Sequence, residues 1–321
     1  MPELLRAPER RVLSPVTDSA RWEHFSPRDG DIVIATYAKC GTTWMQRIVD
    51  LLVFASPEVR PVSDLAPWFD STIFNPLEED LATLEAQRHR RFVKSHLPFD
   101  ALPVWDGVSY IHVGRDGRDA RLSWKNHQQG MTPEFVGRVV ANAMAIAQAG
   151  GDPGGPPPPP AEDPRQYLLD WMDGLERDAR DANLGDHFFE FEATYWRERA
   201  RKNLLLVHYD DLNRDLEGEM RRIADFLSID IEPAVMSELA RAASFAAMKK
   251  DGEALIPGIG RAFDRGAERF INQGRSGRWR EVLSEEDAQR YAAIARRSAS
   301  PGLAAWLERG RQGGDPRAAA D

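Results

Sequence analysis

The chain has 321 residues, 42% hydrophobic and 29% charged, enough to bury a sizeable core as one large α/β domain or two small ones. Its formal net charge of −9 repels a phosphate backbone and argues against a nucleic-acid partner. No apolar run reaches the roughly eighteen residues of a membrane span, no secretory signal opens the chain, and Cys40 is its single cysteine, so we expect a cytoplasmic protein without integral membrane association or disulfides.

Asp31-Ile32-Val33-Ile34-Ala35-Thr36 is a β-branched run after the turn Arg28-Asp29-Gly30 and predicts a buried strand. The loop Tyr37 to Gly41 follows. Thr42 or Thr43 is then placed to cap a helix through Trp44, Ile48, Leu51, Leu52 and Phe54. A second strand, Arg91 to Lys94, ends at Ser95-His96-Leu97-Pro98, and a third, Val108 to Val113, ends at Gly114-Arg115-Asp116. A helix from about Asp119 through Trp124 comes next. Gly150 to Pro164, with prolines at every position from 156 to 160, predicts a polyproline-like surface insertion. The fourth strand is Asn203 to Tyr209, leading into a helix with Leu216, Met220, Ile223 and Phe226 on one face. Gly252 to Gly277 has little periodicity and predicts a long loop, functional or disordered, and the tail after Glu308 is expected to fray. Alternating strands and helices predict a single α/β domain over 1–321, its central parallel sheet flanked by helices. Ligands of such sheets bind beyond the carboxyl ends of the strands, where Lys39, Lys94, His96, Arg115 and Tyr209 all lie.

The most informative segment is Ala38-Lys39-Cys40-Gly41-Thr42-Thr43-Trp44, between a strand and a helix. Gly41 permits close backbone approach to an oxyanion, free N–H groups at the helix start favour negative charge, and Lys39, Thr42 and Thr43 add a cation and two hydroxyls. The lysine precedes the glycine, so this is not the G-x-x-x-x-G-K-[ST] loop of nucleoside triphosphatases.

At these residues the chain resembles the cytosolic-type sulfotransferase family. That family carries Y-P-K-S-G-T-T-W, matched by Tyr37 to Trp44, and K-[ST]-H-L-P, matched by Lys94 to Pro98. It carries an Arg with a Ser eight positions on, matched by Arg115 and Ser123, and a strand ending in Y-E-D, matched by Tyr209-Asp210-Asp211. Its late F-x-R-K-G-x-x-G-D-W is matched in part by Phe270 to Trp279. The texture around Pro67-Trp68-Phe69 is most similar to bacterial members, glycolipid sulfotransferases among them.

The resemblance implies a P-loop-kinase-like core and sulfuryl transfer from 3′-phosphoadenosine 5′-phosphosulfate (PAPS), without a metal, to a hydroxyl of a small, largely apolar acceptor. Lys39, Cys40, Gly41, Thr42 and Thr43 would hold the 5′-phosphosulfate, and Trp44, Tyr209, Ser244 and Phe245 would border the adenine. Arg115 and Ser123 would grip the 3′-phosphate, with Asn272, Gln273 and Gly274 in the late glycine loop. His96 would be the general base, and Lys39 and Lys94 would neutralise charge on the leaving and transferring groups.

Three departures bear on this reading. The family's Arg-Lys is Asn272-Gln273 here, which weakens the grip on the 3′-phosphate unless Arg269, Arg275 or Arg278 substitutes. The family's Thr-Ser-Phe is Ala243-Ser244-Phe245. The usual loop serine is Cys40; a thiol at a helix N-terminus beside a lysine can have a depressed pKa and be oxidation-sensitive, and the alternative, which we favour, is a small residue that simply fits. Trp68, Phe69, Phe99, Trp124 and Trp196 are candidates for the acceptor wall, with Gly252 to Gly274 as a lid. His112, His127, His187 and His208 have no metal-ligand spacing and read as structural or surface residues. A metal-dependent small-molecule kinase and a non-catalytic nucleotide-binding protein remain alternatives. The family's dimer motif is absent, which leaves the oligomeric state open.

Overall fold

The computed structural model describes every residue except 154–160, 178–187 and 320. The centre of the Gly/Pro-rich stretch and His187 therefore lie outside the described residues. Four strands form the central sheet: β1 (Ile32–Ala35), β2 (Phe92–Ser95), β3 (Ser109–Gly114) and β4 (Leu204–His208). All pair in parallel, in the order β2-β1-β3-β4. The strands are almost wholly buried, as expected where helices cover both faces.

Period-two alternation divides the core. Val33 and Ala35 face one cluster with Phe188, Phe191, Tyr195 and Trp306, while Ile32 and Ile34 face another with Met45, Ile48, Leu52 and Ile223. Helix α1 (Thr42–Phe54) follows β1, and helix α2 (Gly117–Gly130) follows β3. Asp116 caps α2 by accepting from Arg118 N, so this helix begins two residues earlier than the sequence reading placed it. Because β1 lies between β2 and β3, the crevice where strand order reverses opens at the ends of β1 and β3.

Three expectations need correction. Residues 252–277 are not an irregular loop; they contain the short helical turns Gly252–Leu255, Ile259–Arg261 and Gly266–Phe270. Leu255, Ile259, Phe263 and Ile271 from this segment join Val62, Ile73 and Phe135 in a third apolar cluster, which supplies the missing burial. Second, a helix that sequence periodicity had not suggested, α3 (Pro133–Gln148), precedes the Gly/Pro-rich stretch. Third, the C-terminal tail is docked rather than frayed. Arg311 donates to Asp211 and to Glu219, and Asp321 accepts from Trp196 Nε1 and Ser300 Oγ. Among the described residues no helix is long and apolar enough to cross a membrane.

Candidate active site

A cavity of about 760 Å³ opens beyond the strand ends. Its wall includes Lys39, Gly41, Thr42, Thr43 and Trp44 from the first loop and helix, and Lys94 and His96 from the end of β2. Arg115 and Ser123 follow β3, Tyr209 follows β4, and Phe245, Asn272, Gln273 and Gly274 come from the later helical segment. Residues up to 235 positions apart in the chain thus meet in one space, and all but two of the residues expected at the site are there.

The exceptions are Cys40 and Ser244. Lys39 and Gly41 both have left-handed backbone, with φ of 67° and 105°. This zigzag turns Cys40 into the core, where it is fully buried and its thiol lies 3.8 Å from Ala38 O. Burial, then the Glu192 carboxylate, pushes the Cys40 pKa well above its ordinary value. This excludes the low-pKa, oxidation-sensitive reading of Cys40 and leaves the small buried residue that fits the loop. Ser244 instead caps the helix Phe245–Lys250, its Oγ accepting from Ala247 N.

The helix cap is also not what the sequence suggested. Gly41, not a threonine, is the N-cap of α1, and among the described residues no side chain caps the first-turn amides. Thr42 Oγ1 is within 2.6 Å of Thr36 Oγ1. A Cβ on Gly41 would sit 2.9 Å from the Tyr209 ring, so glycine is needed for both its φ and its contact. Uncapped amides, a helix dipole and Lys39 together form an anion seat.

The cations around it are crowded. Burial first, then Lys94 and Arg115, lower the Lys39 pKa from 10.5 to about 7. Burial lowers that of Lys94 to about 8, opposed by the Asp70 carboxylate. The Lys94 ammonium lies 4.5 Å from the Trp68 ring centroid. Arg115 donates from Nη1 to Lys39 O at 2.9 Å and from Nη2 to Arg275 O at 3.2 Å, and its guanidinium lies over the Tyr209 ring at 4.0 Å. Its Nε is buried and has no hydrogen-bond partner among the described residues.

His96 is held from two sides. Its Nδ1 lies 2.8 Å from Thr36 O; a carbonyl only accepts, so Nδ1 carries the proton and Nε2 the lone pair. Its backbone N–H donates to Asp70 Oδ2 at 3.1 Å. Burial, then Lys94, hold its pKa well below the usual imidazole value, so it is neutral at neutral pH. Asp70 also accepts from Trp68 Nε1 at 2.7 Å and Trp22 Nε1 at 3.4 Å. Burial raises its pKa.

Two site residues were not recognised from sequence. Asp70 is fully buried beneath Lys94 and His96. His127, expected to be structural or on the surface, lines the cavity with Nδ1 3.2 Å from Lys39 Nζ, its ring against Trp124 and Phe263. His112 and His208 are fully buried, as expected for structural histidines. Of the acceptor-wall candidates, Trp68 and Trp124 line the cavity, while Phe69, Phe99 and Trp196 are core residues. Of the arginines that could replace the missing one, Arg275 and Arg278 line the cavity; Arg269 is held by Asp264 at 2.7 Å. Gly274 has φ of 65° and abuts Phe245, where a Cβ would come within 2.1 Å of the ring.

The sulfotransferase domain model matches residues 29–302. The chain belongs to the sulfotransferase family. It is 36% identical over 310 residues to a glycolipid sulfotransferase of Mycobacterium bovis, covering 94% of each chain. Among solved structures it is similar in fold to retinol dehydratase in complex with retinol and PAP, with a TM-score of 0.63 and 20% identity over 87% of this chain and 84% of that one. Mouse sulfotransferase SULT7A1 complexed with PAP matches with a TM-score of 0.59 and 18% identity over 87% and 88%. As a family member the chain is a PAPS-dependent sulfotransferase with the α/β core expected from its motifs.

Proposed function

We propose that this sulfotransferase carries the sulfuryl group to the hydroxyl of a largely apolar, lipid-like alcohol, with His96 as general base. The observation that carries the assignment is the convergence of Lys39, Lys94 and a tautomer-fixed His96 on one cavity wall. The 5′-phosphosulfate binds at the first turn of α1 beside Lys39, Thr42 and Thr43. The 3′-phosphate binds at Arg115 and Ser123, with Arg278 in place of the arginine that Asn272 replaces. Trp44, its Nε1 anchored to Ala243 O at 2.7 Å, and Phe245 flank the adenine.

His96 Nε2 takes the acceptor's hydroxyl proton as the oxygen–sulfur bond forms. The bond between sulfur and the bridging phosphate oxygen breaks, and its electron pair leaves on 3′-phosphoadenosine 5′-phosphate (PAP). Lys39 and Lys94 neutralise that charge. A lipid-like acceptor is supported by the apolar cavity residues Phe74, Met131, Phe135 and Phe263, and by the mycobacterial relative named for glycolipid sulfation.

The test is His96→Ala. Transfer should fall at least about a hundredfold, the usual contribution of a general base, while PAP affinity, read by thermal shift, stays within a few-fold. Loss of PAP binding together with activity would show that His96 is structural. A shift with ATP and magnesium but none with PAP would refute the donor assignment.

A further inference from the structure

Helix α3 buries far less than its sequence could. Of its 16 residues only Phe135 is fully buried, while Val136, Val140 and Met144 are 43%, 45% and 60% exposed. Spaced four apart, they form one apolar stripe spanning about 12 Å of helix. The helix is nevertheless firmly placed. Thr132 Oγ1 caps it, Phe135 packs 5.7 Å from Phe263, and Asn142 Nδ2 donates to Pro15 O at 3.0 Å and Thr72 O at 3.2 Å.

The stripe continues a wall already described. Val136, Val139 and Val140 line the same cavity as His96, as does Phe74, which is 43% exposed. The apolar side of the pocket therefore does not close over a small acceptor; it runs out of the mouth and along α3 toward Met144. Charge argues against an anionic membrane as the occupant, because the helix carries only Arg138 and Glu134, paired to each other at 2.7 Å.

We infer that α3 is the seat of the acceptor's aliphatic chain, with the hydroxyl at His96 and the tail leaving past Phe74 and Val140 toward Met144. This rests on the proposed transfer to an apolar alcohol and extends it to a long-chain one.

The experiment measures kcat/KM for unbranched primary alcohols of four to ten carbons with PAPS. In the unmodified enzyme it should rise about two- to fourfold per added methylene, the effect of burying each CH₂ partly or fully. Val140→Asp and Met144→Asp should each cut the decanol-to-butanol ratio about tenfold or more, while Val59→Asp, at an exposed apolar residue elsewhere, leaves it unchanged. A flat series, or ratios untouched by both α3 variants, overturns the seat while transfer to butanol keeps the proposed function standing. No transfer to any alcohol, with PAP still binding, overturns the acceptor reading and the seat together. Binding to phosphatidylcholine vesicles that Val140→Asp abolishes, combined with a flat series, would reassign the stripe to a membrane and also overturn the seat.

Discussion

Binding of PAP should take up protons, with a stoichiometry set by two lysines. In the empty cavity Lys39 has a pKa of about 7 and Lys94 of about 8, both depressed first by burial. At pH 8, Lys39 is about one-tenth charged and Lys94 about half charged. A bound phosphate supplies the opposite charge the cavity lacks and moves both toward the ordinary lysine value. About one and a half protons should therefore be taken up per site at pH 8, and, since the slope of log affinity with pH equals the uptake, PAP affinity should fall about 25-fold or more per pH unit above pH 8. Calorimetry at pH 8 in two buffers of different ionisation enthalpy reads the uptake from the difference in apparent heat. The same shift has a sign for the ligand-free fold. The unfolded chain keeps these protons to about pH 10 and the folded one does not, so the two groups contribute stability that grows as pH rises from about 7 to 10. A buffer-independent heat, together with a Kd constant from pH 7 to 9, would refute the electrostatic account of the site.

His127→Phe keeps an aromatic ring against Trp124 and Phe263 but removes the nitrogen beside Lys39 Nζ. Losing that hydrogen-bond partner disfavours the charged form of Lys39, so PAP affinity should drop about fivefold at pH 7.5 and by less at pH 6, as read by titration calorimetry. An equal loss at both pH values would show that the ring acts through packing alone. Cys40 should react slowly with a thiol reagent at neutral pH, at a rate PAP does not change; rapid labelling would contradict its burial.

Much of this site is readable in the chain because strand ends and motifs coincide. The strands expected at 31–36, 91–94 and 108–113 became β1, β2 and β3 within about a residue of those bounds. Reading failed where side-chain direction, not residue type, decides. Cys40 and Lys39 are neighbours, yet two left-handed residues send one into the core and the other to the cavity, a geometry that Gly41 hints at and Lys39 conceals. His127 is marked in the sequence by its spacing. Ser123 was assigned to the cavity, and a residue four positions on along α2 shares its face. Phe69, Phe99 and Trp196 show the converse error, since an aromatic near a site meets the core's demand for volume before any ligand's. Asp70, in a turn, had no motif at all; its role comes from Lys94 and His96 arriving beside it at the end of β2.

The cation arrangement also bears on how a chain of net charge −9 selects a nucleotide with two anionic ends. Burial disfavours the charged forms of Lys39 and Lys94, and Lys94 and Arg115 both repel Lys39, so charging the empty cavity is costly and a matching anion relieves that cost. The two anion seats are not independent. Arg115 Nη1 donates to the backbone carbonyl of Lys39, so the side chain assigned to the 3′-phosphate also braces the loop assigned to the phosphosulfate. A nucleotide without the 3′-phosphate leaves the Arg115 Nε buried and unpaired, as it is in the empty cavity, so no bound anion tightens that brace. AMP should therefore bind more weakly than PAP by more than one charge-assisted contact accounts for. Such coupling is what two groups sharing one partner produce, and additive losses at the two ends would show that the seats act separately.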